Sequence, residues 1–94
     1  MGPLGSDWFL EEPPDGIFAD LTGGTFPPGI EWWQLRWAYA ESEWEEPLAP
    51  TQSHSVGFLA AEHDTTYWVQ ARWLLDGFEA GPSPWSATKE YYEP

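Results

Sequence analysis

The clearest pattern in the chain is an alternation of period two between residues 65 and 74. A period of two places successive side chains on opposite faces of a β-strand. Bulky residues occupy both faces, so we expect both faces of this strand to pack against other parts of the molecule. One face carries Tyr67, Val69, Ala71 and Trp73, and the other carries Trp68, Gln70 and Arg72. The Gly-, Asp- and Pro-rich run LLDGFEAGPSP that follows predicts a turn.

A second alternation runs from Glu31 to Glu41. A helix is the competing interpretation, because this stretch contains several good helix formers. A strand is favoured, since the aromatic residues alternate and no N-cap residue precedes them. One face, which we expect to lie toward the core, carries Trp33, Leu35, Trp37 and Tyr39, and the other carries Trp32, Gln34, Arg36 and Ala38.

Five shorter strands are predicted from apolar runs bounded by Gly, Pro and charged residues. A first edge strand is expected around Trp8 and Leu10, ahead of two prolines, and the acidic run 41–46 predicts a short edge strand or a turn. The others are expected over 16–22, with Ile17, Ala19 and Leu21 on one face, over 54–59, and from Trp85 to Tyr92. Together these elements predict an all-β fold, a seven-stranded antiparallel β-sandwich.

The carboxyl-terminal half resembles the last two strands of a fibronectin type III domain, an immunoglobulin-like β-sandwich. Tyr67-x-Val69-x-Ala71 is followed by a Gly-containing turn and by GPSPWS. The resemblance implies a fibronectin type III-like fold in which Tyr67 ties its strand to the preceding loop. His63 stands where the family usually has a proline in that loop.

Two further patterns carry the same resemblance, which extends from about Glu31 onward. Trp33-x-Leu35-x-Trp37 resembles the Tyr-x-Val-x-Tyr pattern of the family's third strand. Trp85-Ser86 resembles the second half of the Trp-Ser-x-Trp-Ser motif of cytokine-receptor domains of this fold, although Gly81-Pro82 stands where the first half would be. These motifs are specific for a fold and say little about function.

The length of 94 residues predicts one domain. Residues 2–6, GPLGS, look like the remnant of a cleaved expression tag, so residues 1–6 are excluded and 7–94 are expected to form a single fibronectin type III-like domain. The eight Trp, four Tyr and five Phe are enough to fill a small core and leave some over. Without Cys, neither a disulfide framework nor a thiolate metal site can form.

The formal net charge is −13, and the basic residues are Arg36, Arg72 and Lys89. A polyanionic surface repels phosphate, which excludes nucleic acids and anionic membrane surfaces as partners. No apolar run approaches the ~18 residues of a membrane helix, so no membrane insertion is expected. The charge favours solubility; a salt-adapted source and a basic partner are alternative interpretations.

The residues that catalysis or metal binding would need are sparse. Two histidines, His54 and His63, fall in an exposed strand or loop context without the spacing of a catalytic triad or a metal site. The glutamates of 41–46 are interpreted as a solvated acidic edge rather than a Ca²⁺ site. We therefore expect no enzymatic activity, no cofactor and no metal.

Tryptophan and arginine form the more informative combination. If Trp33 and Tyr67 face the core, residues of the opposite faces meet on one outer surface of the sheet. Arg stacked on indole contributes about 0.5–2 kcal/mol per contact, and related receptor domains use such a ladder on this sheet. A short Trp/Arg ladder is expected, with Arg72 against Trp85 first; the alternative is that the indoles only cover one another. The candidate surface comprises Trp32, Arg36, Trp44, Trp68, Arg72 and Trp85.

The resemblance implies a non-catalytic module of a larger protein, acting as a spacer and as a protein-interaction or adhesion surface. The expected partner is a protein or a neighbouring domain, and the expected setting is a microbial surface, a secreted protein or a phage structural protein, hence extracellular or virion. The alternative is a carbohydrate-binding module in which exposed rings of Trp32, Trp44 and Trp68 stack on sugars. Coplanar exposed rings favour a glycan, and rings interleaved with Arg favour structure.

Overall fold

The structure is a computed structural model that describes residues 8–11, 16–24, 26–75 and 81–94. Residues 2–6, which the sequence predicts to be a tag remnant, and the central part of the predicted turn, 76–80, lie outside these residues. The described part contains six strands: β1 (Trp8–Glu11), β2 (Ile17–Leu21), β3 (Trp32–Tyr39), β4 (Ser55–Leu59), β5 (Thr65–Leu74) and β6 (Lys89–Glu93). A short 3₁₀ turn, Thr22–Gly24, follows β2.

The strands form two antiparallel sheets of three strands each. The first sheet has the order β1-β2-β4 and the second has the order β3-β5-β6. The long strands β3 and β5 pair along their whole common length, from Trp32 opposite Leu74 to Tyr39 opposite Tyr67. The sequence prediction of an all-β, two-layer fold is confirmed at this level.

The core lies between the two sheets. Trp8, Ala19 and Leu21 from the first sheet pack in one cluster with Trp33, Leu35, Val69, Ala71 and Trp73 from the second. Trp33 and Tyr67 are each 0% exposed. The predicted inward faces of β2 and β5 are confirmed, because Ile17, Ala19 and Leu21 are buried and the odd-numbered residues of β5 from Tyr67 to Trp73 are buried as well.

The described residues contain six strands rather than the predicted seven, because 41–46, predicted as a short edge strand or a turn, forms a turn and no strand. After a turn at Glu41, which has a φ of 64°, the chain runs back along the outer edge of β3. The backbone N–H groups of Glu45, Leu48 and Thr51 bond to the carbonyls of Trp37, Leu35 and Trp33. The segment advances three residues for every two of β3, which is the step of a threefold extended chain rather than of a β-ladder. Pro47 and Pro50 stand between the bonded residues and have no N–H to donate.

The predicted last strand, Trp85 to Tyr92, is wrong at its beginning. The strand β6 starts at Lys89, and the preceding residues meet β5 in the same three-to-two step. Ser83 N–H bonds to the Trp73 carbonyl at 3.0 Å and Ser86 N–H to the Ala71 carbonyl at 2.8 Å. Pro82 and Pro84 prevent a continuous ladder here.

The predicted faces of β3 need a correction as well. Trp33 and Leu35 are buried, whereas Trp37 is half-buried and Tyr39 is 42% exposed. Tyr39 lies at the strand end, stacked on Tyr67 at 5.5 Å, with its hydroxyl directed to Glu62. On the opposite face Gln34 and Ala38 are fully buried. Both faces of the second sheet are therefore covered in part.

Tyr67 ties β5 to the loop before it. Its hydroxyl accepts the backbone N–H of Glu62 at 2.8 Å, five residues upstream. This bond fixes the approach of the connection 60–64 to the strand. The buried ring and the bonded hydroxyl together satisfy both the apolar and the polar part of the side chain.

Candidate functional site

The outer face of the second sheet carries two cross-strand pairs of arginine and glutamine. Arg36 on β3 donates to the Gln70 amide oxygen on β5 at 2.9 and 2.6 Å. Arg72 on β5 donates to the Gln34 amide oxygen on β3 at 2.9 Å. The register of the two strands causes this exchange, because Gln34 lies opposite Arg72 and Arg36 opposite Gln70. The glutamines fix the position of both guanidinium groups on this face of the sheet.

Indole rings stack on these two guanidinium groups in alternation. The Arg72 guanidinium carbon lies 4.3 Å from the Trp85 ring centroid, and the Arg36 carbon lies 4.4 Å from the same ring. The other neighbour of Arg36 is Trp44, at 4.5 Å. The structure therefore brings four predicted residues into one row, Arg72, Trp85, Arg36 and Trp44, which we call the Trp/Arg row. Three contacts within about 6 Å fall in the range of cation–π attraction.

The extended segments that bond to β3 and to β5 position both indoles of this row. Trp44 precedes Glu45, whose N–H bonds to the Trp37 carbonyl at 2.9 Å. Trp85 lies between Ser83 and Ser86, and both serines are bonded to β5 through backbone and hydroxyl. Each indole is thus fixed by backbone hydrogen bonds on one side of it or on both.

Burial and the neighbouring charge of Arg72, in that order, lower the pKa of Arg36. The guanidinium stays charged at any ordinary pH because arginine titrates so far above neutrality. Two like charges on adjacent strands are tolerated here because the π faces and amide oxygens around them are electron-rich. The row is accordingly a packed structural element of the sheet surface.

The third basic residue also lies over an indole. The Lys89 ammonium is 5.1 Å from the ring of Trp8, which is buried in the core. All three basic residues of the chain, Arg36, Arg72 and Lys89, are therefore engaged with tryptophan.

A groove of about 450 Å³ opens beyond the Trp44 end of the row. Trp68, Thr88 and Glu90 line it. The Trp68 ring lies 6.4 Å from the Trp44 ring at an interplanar angle of 41°, and its indole N–H donates to the Glu90 carboxylate at 3.0 Å. The groove therefore has an aromatic wall, a carboxylate and a hydroxyl.

Five of the six predicted surface residues lie in this region, and the sixth does not join them. Within the described part of the chain, no basic side chain stacks on Trp32, which lies at the far end of β3 opposite Leu74. The sequence interpretation did not assign Gln34, Gln70, Ser83, Ser86 or Glu90 to the site. The strand period places each glutamine on the face of the arginine of its own strand, but the pairing of Gln34 with Arg72 depends on register.

The described residues give little support to a histidine-based catalytic site or to a metal site. His54 and His63 are both exposed, and the His54 ring packs edge-on against Phe26 at 5.1 Å. The described residues contain no group of three or more His, Asp or Glu placed to hold a metal ion. A helix long and apolar enough to cross a membrane does not occur in the part of the chain that the structure covers.

Comparison with known proteins leaves the family of this chain open. No family model matches the chain, and no curated protein matches it.

Proposed function

We propose that this chain is a non-catalytic, fibronectin type III-like module of a larger protein, acting as a spacer and as a protein-interaction or adhesion surface. The acidic, Trp-rich and Cys-free composition suits a microbial surface protein, a secreted protein or a phage structural protein. The partner is then a protein or a neighbouring domain. Localisation outside the cell or on a virion follows from the same proposal.

The observation that carries the proposal is the rigid outer face of the second sheet. Arg36 and Arg72 are fixed by glutamine and indole contacts on a surface that stays partly open at Trp68. Tryptophan, tyrosine and arginine dominate the binding energy of protein interfaces, and pre-ordered side chains lose little entropy on binding. The tyrosine bond from Tyr67 to the backbone of Glu62 is of the kind found in immunoglobulin-like sandwiches and supports the fold assignment.

Carbohydrate binding is the second candidate, and the groove beside Trp68 is the observation that favours it. Thr88 and Glu90 lie next to that ring and carry oxygens suited to sugar hydroxyl groups. Against it, Arg36 covers one face of Trp44, and a tilt of 41° between Trp44 and Trp68 does not form a flat platform. Rings interleaved with arginine favour a structural role for the row and therefore favour the first proposal over a glycan platform.

Two binding arrays distinguish protein interaction from carbohydrate binding. The fluorescently labelled domain is applied to an array of peptides of varied charge and to an array of oligosaccharides, and the hits are titrated by Trp fluorescence. Saturable binding to peptides supports the proposal. Saturable binding to glycans alone transfers the assignment to a carbohydrate-binding module, and a domain that saturates neither array contradicts an interaction role.

A further inference from the structure

We infer that the groove beside Trp68 binds an arginine side chain of a basic partner protein, which continues the Trp/Arg row by one cation. This inference rests on the proposed interaction function and names its site and the chemistry of its partner. The site consists of the Trp68 ring, the Glu90 carboxylate and the Thr88 hydroxyl, next to Trp44.

The first argument is the order of the row. Cation and ring alternate from Arg72 through Trp85 and Arg36 to Trp44. At the next place the alternation stops, because a second indole, Trp68, follows Trp44 directly and borders the open groove. An indole ring beside a carboxylate attracts a guanidinium, since the ring quadrupole and the carboxylate both favour a planar cation.

The second argument concerns where this cation comes from. The chain has three basic side chains, and each already stacks on an indole elsewhere. Neither this chain nor a second copy can supply another arginine or lysine side chain without breaking one of those contacts. A different molecule must therefore provide it.

The third argument is charge complementarity. The net charge of −13 attracts basic molecules and repels a second copy of this chain. Trp44 lies between Glu43 and Glu45, both exposed, and Glu90 is exposed as well. A basic peptide is thus favoured over a neutral glycan, and arginine is favoured over lysine because its planar group stacks and donates in a fork.

The test uses blocked tetra-arginine peptide as the probe and blocked tetra-citrulline peptide as its uncharged control of the same shape. The eight tryptophans give eight indole signals in a ¹H–¹⁵N spectrum, and titration follows all of them. We expect saturable shifts of the Trp68 and Trp44 signals with tetra-arginine and none with tetra-citrulline. Cellohexaose, titrated in parallel, represents the glycan alternative.

Matched variants locate the binding. Glu90→Gln keeps an acceptor for the Trp68 indole and should weaken tetra-arginine binding roughly three- to fivefold. Glu31→Gln removes the same charge at the other end of β3 and should weaken it by less than about twofold. Trp68→Leu, checked for folding by its melting temperature, should also weaken binding at least about twofold.

Several results overturn the inference. Equal losses in Glu90→Gln and Glu31→Gln mean that the peptide only senses overall charge. Comparable binding of tetra-citrulline, or shifts from cellohexaose alone, rules out a cation site. Peptides from the array that still bind Glu90→Gln and Trp68→Leu unchanged place the docking surface elsewhere; the proposed module function then stands, whereas an array without peptide binders removes that function itself.

Discussion

The guanidinium of Arg36 is held from three separate parts of the chain. Trp44 comes from the edge segment, Trp85 from the stretch before β6, and Gln70 from the neighbouring strand. A charged side chain in this position contributes packing area as well as charge. It therefore adds side-chain contacts to the backbone hydrogen bonds that already join these parts of the chain.

Arg36→Ala should lower the free energy of unfolding by about 2–4 kcal/mol, because it removes two cation–π contacts of about 0.5–2 kcal/mol each and a charge-assisted hydrogen bond. Thermal and urea unfolding measure the loss. Arg36→Met keeps much of the packing but no charge, so an intermediate loss is expected. Glu43→Ala serves as the exposed control, for which about 0.5 kcal/mol or less is expected. An Arg36→Ala domain as stable as this control would contradict a stabilising role for the row.

Two extended proline-containing segments bond to the second sheet in the same way, one along β3 and one along β5. Along β3 the bonded residues are Glu45, Leu48 and Thr51, and along β5 they are Ser83 and Ser86. In each case every third residue bonds, because an extended threefold chain presents every third N–H to the same side. The serine hydroxyls additionally accept the N–H groups of Trp73 and Ala71, at 2.9 and 3.0 Å.

Ser86→Ala should destabilise the domain by about 1–3 kcal/mol, because the buried N–H of Ala71 then has no acceptor. Hydrogen exchange provides a local measurement: the Ala71 amide should lose protection more than amides in β2. Ser42→Ala, at an exposed turn, is the control. If both variants unfold alike and the Ala71 amide is unaffected, the hydroxyl has no such role.

The carboxyl groups of Glu11 on β1 and Asp20 on β2 make the stability of this pair of strands depend on pH. A hydrogen bond to Asp20, then burial, then the Asp20 charge raise the pKa of Glu11. A raised folded-state pKa means that the pair stabilises the fold when Glu11 is protonated and loses this contribution as pH rises through that pKa. The effect acts on β1, the edge strand of the first sheet.

Glu11→Gln should therefore be more stable than the parent at about pH 8 and approach it as pH falls below the ordinary glutamate pKa of about 4.3, since Gln donates to Asp20 at every pH. Melting temperatures across this range measure the difference. Glu31→Gln removes an exposed carboxylate outside the pair, and its offset should change little over the range. If the melting temperatures of Glu11→Gln and Glu31→Gln change with pH in parallel, the pair of Glu11 and Asp20 has no influence of its own on the pH dependence of stability.

Sequence periodicity predicted the strands that alternate, and it failed where proline changed the step. The inward faces of β2 and β5 follow from a period of two, because their alternating residues meet one core. The last strand was predicted to begin at Trp85 but begins at Lys89, and 41–46, predicted as a short edge strand or a turn, forms a turn and no strand. In both stretches a three-residue step leaves no apolar alternation. The contact of Arg72 with Trp85 was expected, but the enclosure of Arg36 by Trp44 depends on a chain reversal at Glu41 that composition does not specify.

At the scale of the whole molecule, the net charge opposes folding and the aromatic side chains favour it. The three basic side chains are used to cover indoles, and the sixteen acidic residues leave a net charge of −13 on a body with extents of 39 × 26 × 21 Å. Like charges at such distances repel through water and oppose the compact state. The aromatic core and the Trp/Arg row offset this repulsion.

Added salt should therefore raise the melting temperature, because the screening length falls from about 30 Å at 0.01 M to about 10 Å at 0.1 M, below the dimensions of the molecule. Calorimetry in sodium chloride between about 0.01 and 0.1 M measures the rise. A Glu43→Gln/Glu46→Gln variant carries two fewer charges and should show a smaller increment. Since the stacked contacts of Arg36 and Arg72 are short and partly shielded from solvent, screening should weaken them less than it relieves the long-range repulsion. A melting temperature that falls with salt would mean that these cation contacts, rather than the net charge, dominate the electrostatics of the fold.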